Sequence, residues 1–242
     1  WGYSTAEPIR EDVLKVVNDT VKQCRPHASV VGWSAWNEGG QPGFSERITQ
    51  TITNLDNTRP ISHASGYGDF DIHIYPNITP AQLSGRTFFW SGLKLGFVSE
   101  VGAYGLSSLD EIMEITGNNL FPFDSADYFW ETFNSYRYND GPVFWDAPAA
   151  GDWPTAKIRD YVLGKIGPSE RWLEQFMKFM YENFRAQRFN PTTAAIHCRF
   201  DDPLPTAYLG VVNFNGRPRK AYYSVQQACQ QVLPILFFDF QG

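Results

Sequence analysis

Apolar residues near the start of the chain recur at helical spacing. Val13, Val16, Val17 and Val21 fall on one side of a helix predicted over residues 9–23, with Pro8 at its start and Pro26 past its end. The pattern then changes. From Ser29 to Trp36 almost every position is apolar, as in a strand buried on both faces, and the run leads straight into Asn37-Glu38-Gly39-Gly40. The alternation repeats downstream. Residues 44–55 carry Ile48, Ile52 and Leu55 at helical spacing. A turn at 56–60 then leads to strands over 61–65 and 71–75, the second stopped by Pro76. After a connection over 83–95, residues 94–99 read as a strand ending on Glu100. Residues 109–115 and 126–136 read as short helices, and 140–153 as an ordered loop rich in Gly, Pro, Ala and Trp. A long helix is predicted over 169–188, capped by Ser169, with Trp172, Phe176, Phe179, Met180 and Phe184 on one face. Residues 194–200 form the last strand of the series, ending on Asp201 and Asp202, and 219–231 the final helix.

Helices that alternate with strands apolar throughout imply a parallel sheet with helical cover, hence an α/β fold. The fold expected is a (β/α)8 TIM barrel, which needs eight strands and about 250 residues. Five strands over residues 1–231 make this the last part of such a barrel, strands 4 to 8, with the first three expected before Trp1. The abrupt start at Trp1-Gly2-Tyr3, without an initiating Met, fits a fragment or processed chain. The apolar run after Val232 reads as the start of a following β domain or tail over 232–242.

Composition narrows the classes. With 43% hydrophobic and 19% charged residues the chain is a folded one rather than a disordered one. No apolar stretch reaches the roughly 20 residues of a membrane helix, so no membrane partner is expected. The net charge of −6, with Lys and Arg scattered, argues against nucleic acid. Cys24, Cys198 and Cys229 fit no zinc spacing and cannot all pair within the chain. Two sequons, Asn18-Asp19-Thr20 and Asn77-Ile78-Thr79, point towards secretion, although such short patterns also arise by chance. Aromatic residues make up 16% of the chain. Most must serve packing, while some have the apolar ring face that stacks on a pyranose.

In a parallel barrel the chemistry sits where strands end and loops begin. Two strands here end on a glutamate, Glu38 and Glu100, each followed by glycine within two residues. His63, His73, Tyr75, Asp201 and Asp202 fall at the same level. Alone, each glutamate reads as a solvated loop carboxylate. As a pair at equivalent strand ends they suit glycosidic cleavage, in which one carboxyl donates a proton to the leaving oxygen and the other attacks the anomeric carbon.

The residues from His27 to Gly40 resemble the acid/base segment of glycoside hydrolase family 2, which runs from an N-H-P-S-V turn into a strand ending in Asn-Glu. Leu55-Asp-Asn-Thr-Arg-Pro60 with Ala64-Ser65-Gly66 resembles that family's L-D-P-T-R-P … A-S-G passage. Asp71-Ile-His73-Ile-Tyr75-Pro76 is similar to its D-x-H-x-Y-P strand, Val98-Ser99-Glu100-Val101-Gly102 to its nucleophile segment, and residues 214–223 to its closing D-x-x-G-R-P-K-x-A-Y-Y ending. Each motif is weak alone; five in order, over about residues 8–231, are strong together. The resemblance implies a retaining exo-acting β-glycosidase without cofactor or metal. Glu38 would be the general acid and then base, Glu100 the nucleophile, and Asn37 a partner of the sugar 2-hydroxyl. His73 and Tyr75 would stand beside the nucleophile, with core packing as the plainer alternative for each. Trp33 and Trp36 read as packing, Trp36 also as a substrate contact.

One departure stands out. Cys198 takes the place of a Trp that the family carries in an I-W-Q-x-N-D run, so the floor of the sugar subsite is either missing or supplied by Trp145 or Trp153. The partners implied are a carbohydrate substrate and the rest of the barrel with β-sandwich domains, on the same or another chain. A homo-oligomer is compatible with the sequence. Two rival readings remain: a catalytically weak sugar-binding relative, and an unrelated metal hydrolase using His73 with the Asp201–Asp202 pair.

Overall fold

The computed structural model describes residues 6–66, 71–75, 96–103, 105, 108–115, 155–202 and 210–235, with backbone alone for 112, 115, 155–163, 165 and 166. The chain divides into two compact units, residues 1–73 with 97–99, and 74–96 with 100–242.

The first unit opens with helix α1, Glu7–Cys24, whose Pro8 lies in the first turn, where a missing N–H costs nothing. Strand β1, Trp33–Ser34, follows, then helix α2, Phe44–Leu55, and strand β2, Ile61–Ser62. The bounds of α2 coincide with those expected from its apolar spacing. Strands β1 and β2 pair in parallel, Trp33 with Ile61 and Ser34 with Ser62, so β1–α2–β2 is a crossover unit. Its core is Val21, Phe44, Ile48 and Ile52, with Val13, Leu14, Val17, Trp33, Trp36 and Ile61 packed around them. Outside that core, Arg47 bonds Glu7 at 2.6 Å and also Glu11, tying α2 to α1.

The strands are shorter than the apolar runs predict. Ser34 and Ser62, opposite each other in the ladder, turn their hydroxyls onto the carbonyls of Trp36 and Ala64 two residues on (3.0 and 2.9 Å). Backbone bonds continue past them, Ala35 N–H to Ser62 O and Ser65 N–H to Trp36 O, each at 2.9 Å, to a single bridge between Asn37 and Ser65. The expectation of burial on both faces is also corrected: Val31 is 75% exposed, so of this run Trp33 and Trp36 rather than the valines reach the core. The turn between α2 and β2 is fixed by Asp56, which accepts bonds from Trp33 Nε1 (2.9 Å), Thr58 Oγ1 (2.6 Å) and Arg59 Nη1 (2.7 Å).

Strand β3, Asp71–Ile74, and strand β4, Phe97–Val101, run from the first unit into the second. In the second unit Gly102 N–H bonds Ile74 O and Cys198 N–H bonds Val101 O, giving the order β3–β4–β5 with strand β5, Ala194–His197. Helix α3 is Leu109–Ile115, helix α4 Thr155–Ala186 and helix α5 Lys220–Ala228. The expected start of α4 at Ser169 is corrected. The helix begins at Thr155 and passes through Pro168, while Ser169 is buried inside it rather than capping it. Of the apolar face expected for α4, Trp172, Phe176, Met180 and Phe184 are buried while Phe179 is half-buried, and Leu173, Met177 and Tyr181 are buried with them. It packs against α5, whose end Arg185 clasps through the carbonyls of Ala228 and Gln230.

The second unit also buries a charged cluster. Arg219 donates to both oxygens of Glu111 (3.2 and 2.7 Å), to Asp202 (2.6 Å) and to Gly210 O (2.7 Å). Among the described residues there are five strands and no closed barrel. Residues 232–235 have no regular structure, and the rest of the apolar tail lies outside the described residues, as do the connection at 83–95, the helix at 126–136 and the loop at 140–153. No helix among the described residues is long and apolar enough to cross a membrane.

Candidate active site

Each unit presents one of the two glutamates at a strand end, held by a neighbouring strand. In the first unit the chain leaves the β1 ladder through Asn37, Glu38, Gly39 and Gly40. Glu38 itself lies in the left-handed region, φ 44°, followed by Gly39 at 76° and Gly40 at 72°. A non-glycine residue adopts that conformation only when its surroundings enforce it. Here Glu38 N–H is bonded to Ser65 O (3.0 Å), and Asn37 Oδ1 accepts the Ser65 hydroxyl (2.6 Å). Gly40 must be glycine for space as well, because a Cβ there would lie 2.8 Å from Ser45 Oγ and 3.2 Å from His63 Nε2. The loop is thus seated on Ser45 and His63, and Glu38 projects with its side chain 53% exposed.

His73, on β3, meets that carboxylate: its Nδ1 stands 3.1 Å from Glu38 Oε1, with the ring 10% exposed. The ring lies flat against Gly66, where a Cβ would come within 2.7 Å of it; this explains the glycine of the Ala64-Ser65-Gly66 passage. Asp71, two residues earlier, accepts bonds from Gly66 N–H and Ser99 N–H, each at 3.2 Å, pinning the 64–66 turn and β4 to β3. Sequence reasoning gave Asp71 no role. Its place in the D-x-H-x-Y run was the available signal. Trp36 packs edge-on against Phe44, ring centroids 5.6 Å apart, on the core side of β1.

In the second unit, Tyr75 donates its hydroxyl proton to Glu100 Oε2 at 2.5 Å. Burial foremost, and then the hydrogen bonds with Cys198 and Glu100, push the phenol far above its usual range, so it serves as a donor throughout the ordinary pH range. Gly102 lets β5 approach. A Cβ there would fall 2.3 Å from the Cys198 carbonyl and 3.0 Å from Tyr75 Cε1. Cys198, expected only as a departure from a pattern, is therefore a neighbour of Glu100 and Tyr75. Burial raises its thiol above the usual value, opposed by the Tyr75 hydrogen bond and Arg199. Asp202, by contrast, is held by Arg219 and Gly210 N–H and is fully buried, and Asp201 pairs in a bridge with Val212. A metal site built on that acidic pair would have to break the Arg219 cluster. His197 packs near Tyr181 and takes no part in either cluster. Trp145 and Trp153 lie outside the described residues.

Residues 2–80 match the family model described as glycosyl hydrolases family 2, TIM barrel domain. Over 140 residues, 55% of the chain, it is 28% identical to a beta-galactosidase of Leuconostoc mesenteroides and spans 13% of that protein. Among solved structures, a beta-D-mannosidase from Dictyoglomus thermophilum shares the fold over 93% of this chain and 30% of its own, with a TM-score of 0.56 and 18% identity. The exo-chitosanase of Amycolatopsis orientalis does so over 94% and 28%, with a TM-score of 0.57 and 14% identity. The chain is therefore like family 2 in sequence over residues 2–80, and its fold is that of part of a TIM barrel.

Proposed function

We propose that this protein is a retaining exo-acting β-glycosidase in which Glu100 is the nucleophile and Glu38 the acid/base. The observation that carries the reading is the state of Glu100 at the end of β4. One of its oxygens accepts the short bond from Tyr75, which orients the carboxylate. In the first step Glu100 would bond to the anomeric carbon as Glu38 gives its proton to the departing oxygen. In the second, Glu38 would take a proton from water as that water displaces Glu100 and restores the anomeric configuration. His73, in contact with Glu38 Oε1, would steady that carboxyl between its two roles. Asn37, anchored by Ser65, would meet the sugar 2-hydroxyl. The similarity to a beta-galactosidase, a beta-D-mannosidase and an exo-chitosanase supports a terminal β-linked sugar as substrate. The expected partners are the remaining strands of the barrel and β-sandwich domains, on the same chain or another.

The test is hydrolysis of a panel of aryl β-glycosides (galactoside, mannoside, glucuronide, glucosaminide, arabinoside) by the full-length protein. Glu100→Gln should abolish turnover on every member. Glu38→Gln should spare substrates whose leaving groups need no proton. An experimental structure should place the two carboxyl groups about 5–5.5 Å apart, whereas a separation near 9 Å, or product of inverted configuration, refutes the nucleophile role.

A further inference from the structure

We propose that Ser65 is a positioning residue for Asn37: its hydroxyl holds the Asn37 amide so that the amide nitrogen faces the substrate and donates to an oxygen at the sugar 2-position. This rests on the reading of the protein as a β-glycosidase in which Asn37 meets the sugar 2-hydroxyl. Ser65 and Asn37 are partners in the bridge that ends the β1–β2 pairing, and a parallel pair in register carries its side chains on one face. Ser65 meets the strand end with three separate groups. Its N–H donates to Trp36 O at 2.9 Å, its carbonyl accepts the Glu38 N–H at 3.0 Å, and its hydroxyl donates to Asn37 Oδ1 at 2.6 Å. The carbonyl holds Glu38. Among the described residues the hydroxyl alone holds the Asn37 amide.

An asparagine amide needs such an anchor. Its terminal torsion is broad rather than three-welled, so a free amide samples many directions. The length of the bond assigns the orientation. At 2.6 Å it lies in the range of O–H···O bonds and below the roughly 2.7–3.2 Å of N–H···O bonds, so the amide oxygen faces Ser65. The nitrogen, turned the other way, keeps its N–H donors without a partner among the described residues. A donor of fixed direction selects an acceptor: a sugar carrying oxygen at its 2-position gains the bond, and a sugar with only hydrogen there forgoes it. Removing the Ser65 hydroxyl frees the amide and leaves in place the carbonyl that holds Glu38.

The test sets the full-length protein on a matched pair: an aryl β-glycoside that it cleaves, and the 2-deoxy form of the same glycoside. Ser65→Ala should lower kcat/KM on the 2-hydroxy substrate about 3- to 10-fold, as for loss of one neutral hydrogen bond, and by less than about twofold on the 2-deoxy substrate. Ser65→Cys, close in size but a weaker donor, should fall between wild type and Ser65→Ala on the 2-hydroxy substrate. In an Asn37→Ala background Ser65→Ala should add almost nothing, because the side chain it acts through is gone. Losses that are equal on the two substrates, or that persist undiminished in the Asn37→Ala background, overturn the proposal. So does a Ser65→Ala variant that cleaves the 2-hydroxy substrate at the wild-type rate, and in these cases the glycosidase reading still stands. A wild type that cleaves no aryl β-glycoside refutes that reading and the proposal with it.

Discussion

Replacing Tyr75 by Phe removes one oxygen and leaves the ring in place against Gly102. The atom lost donates the 2.5 Å bond to Glu100 Oε2. A hydrogen bond to a charged acceptor contributes about 1.5–3 kcal/mol, two to three times a neutral one. Without it the Glu100 carboxylate is less well oriented, so fewer encounters find an oxygen aimed at the anomeric carbon. If the whole contribution is expressed in the step that forms the glycosyl-enzyme, kcat/KM should fall about 10- to 150-fold, since each 1.36 kcal/mol is a factor of ten. The assay is initial-rate hydrolysis of an aryl β-glycoside by the full-length protein, with the urea unfolding midpoint as control. The unfolding free energy read from it should fall by no more than about 1.5–3 kcal/mol, the contribution of that bond. A change in kcat/KM under threefold, with the fold intact, would mean that Tyr75 does not hold the nucleophile, and the assignment of Glu100 would lose its main support.

Arg219→Leu should destabilise the protein by about 3–5 kcal/mol in urea unfolding, because it leaves Glu111 and Asp202 buried without their cation; a loss below about 1 kcal/mol would show that the cluster contributes little. Gly66→Ala puts a methyl group 2.7 Å from the His73 ring at φ +74°, so it should displace His73 from Glu38 and lower activity while substrates with good leaving groups suffer least. Rates unchanged across leaving groups would count against a role for His73 at Glu38. Asp56 is held below its ordinary carboxylate range, chiefly by Thr58 and Trp33. A group depressed in the folded state stabilises above its unfolded value near ~4 and loses that contribution as pH falls below it. The unfolding midpoint should therefore drop on acidification below about pH 4, and Asp56→Asn should flatten that drop.

The residues of the candidate site can be named from linear patterns. Glu38 and Glu100 stand at or just past the ends of mostly apolar runs, while His73 and Tyr75 belong to the alternating run Asp71-Ile72-His73-Ile74-Tyr75. The α2 helix and the apolar face of α4 follow likewise from local periodicity. What the sequence could not supply are contacts between residues far apart in the chain. The pairing of His73 with Glu38, the pinning of Gly66 and Ser99 by Asp71, and the approach of Cys198 to Glu100 through Gly102 depend on which strands lie side by side, and each is a through-space distance that no local pattern encodes. Sequence therefore determined the residue types, periodicities and order of elements, which arise within a few positions along the backbone. Tertiary structure decided which donor meets which carboxylate, because hydrogen bonds act over about 3 Å and only folding brings residues 25 to 35 positions apart within that range.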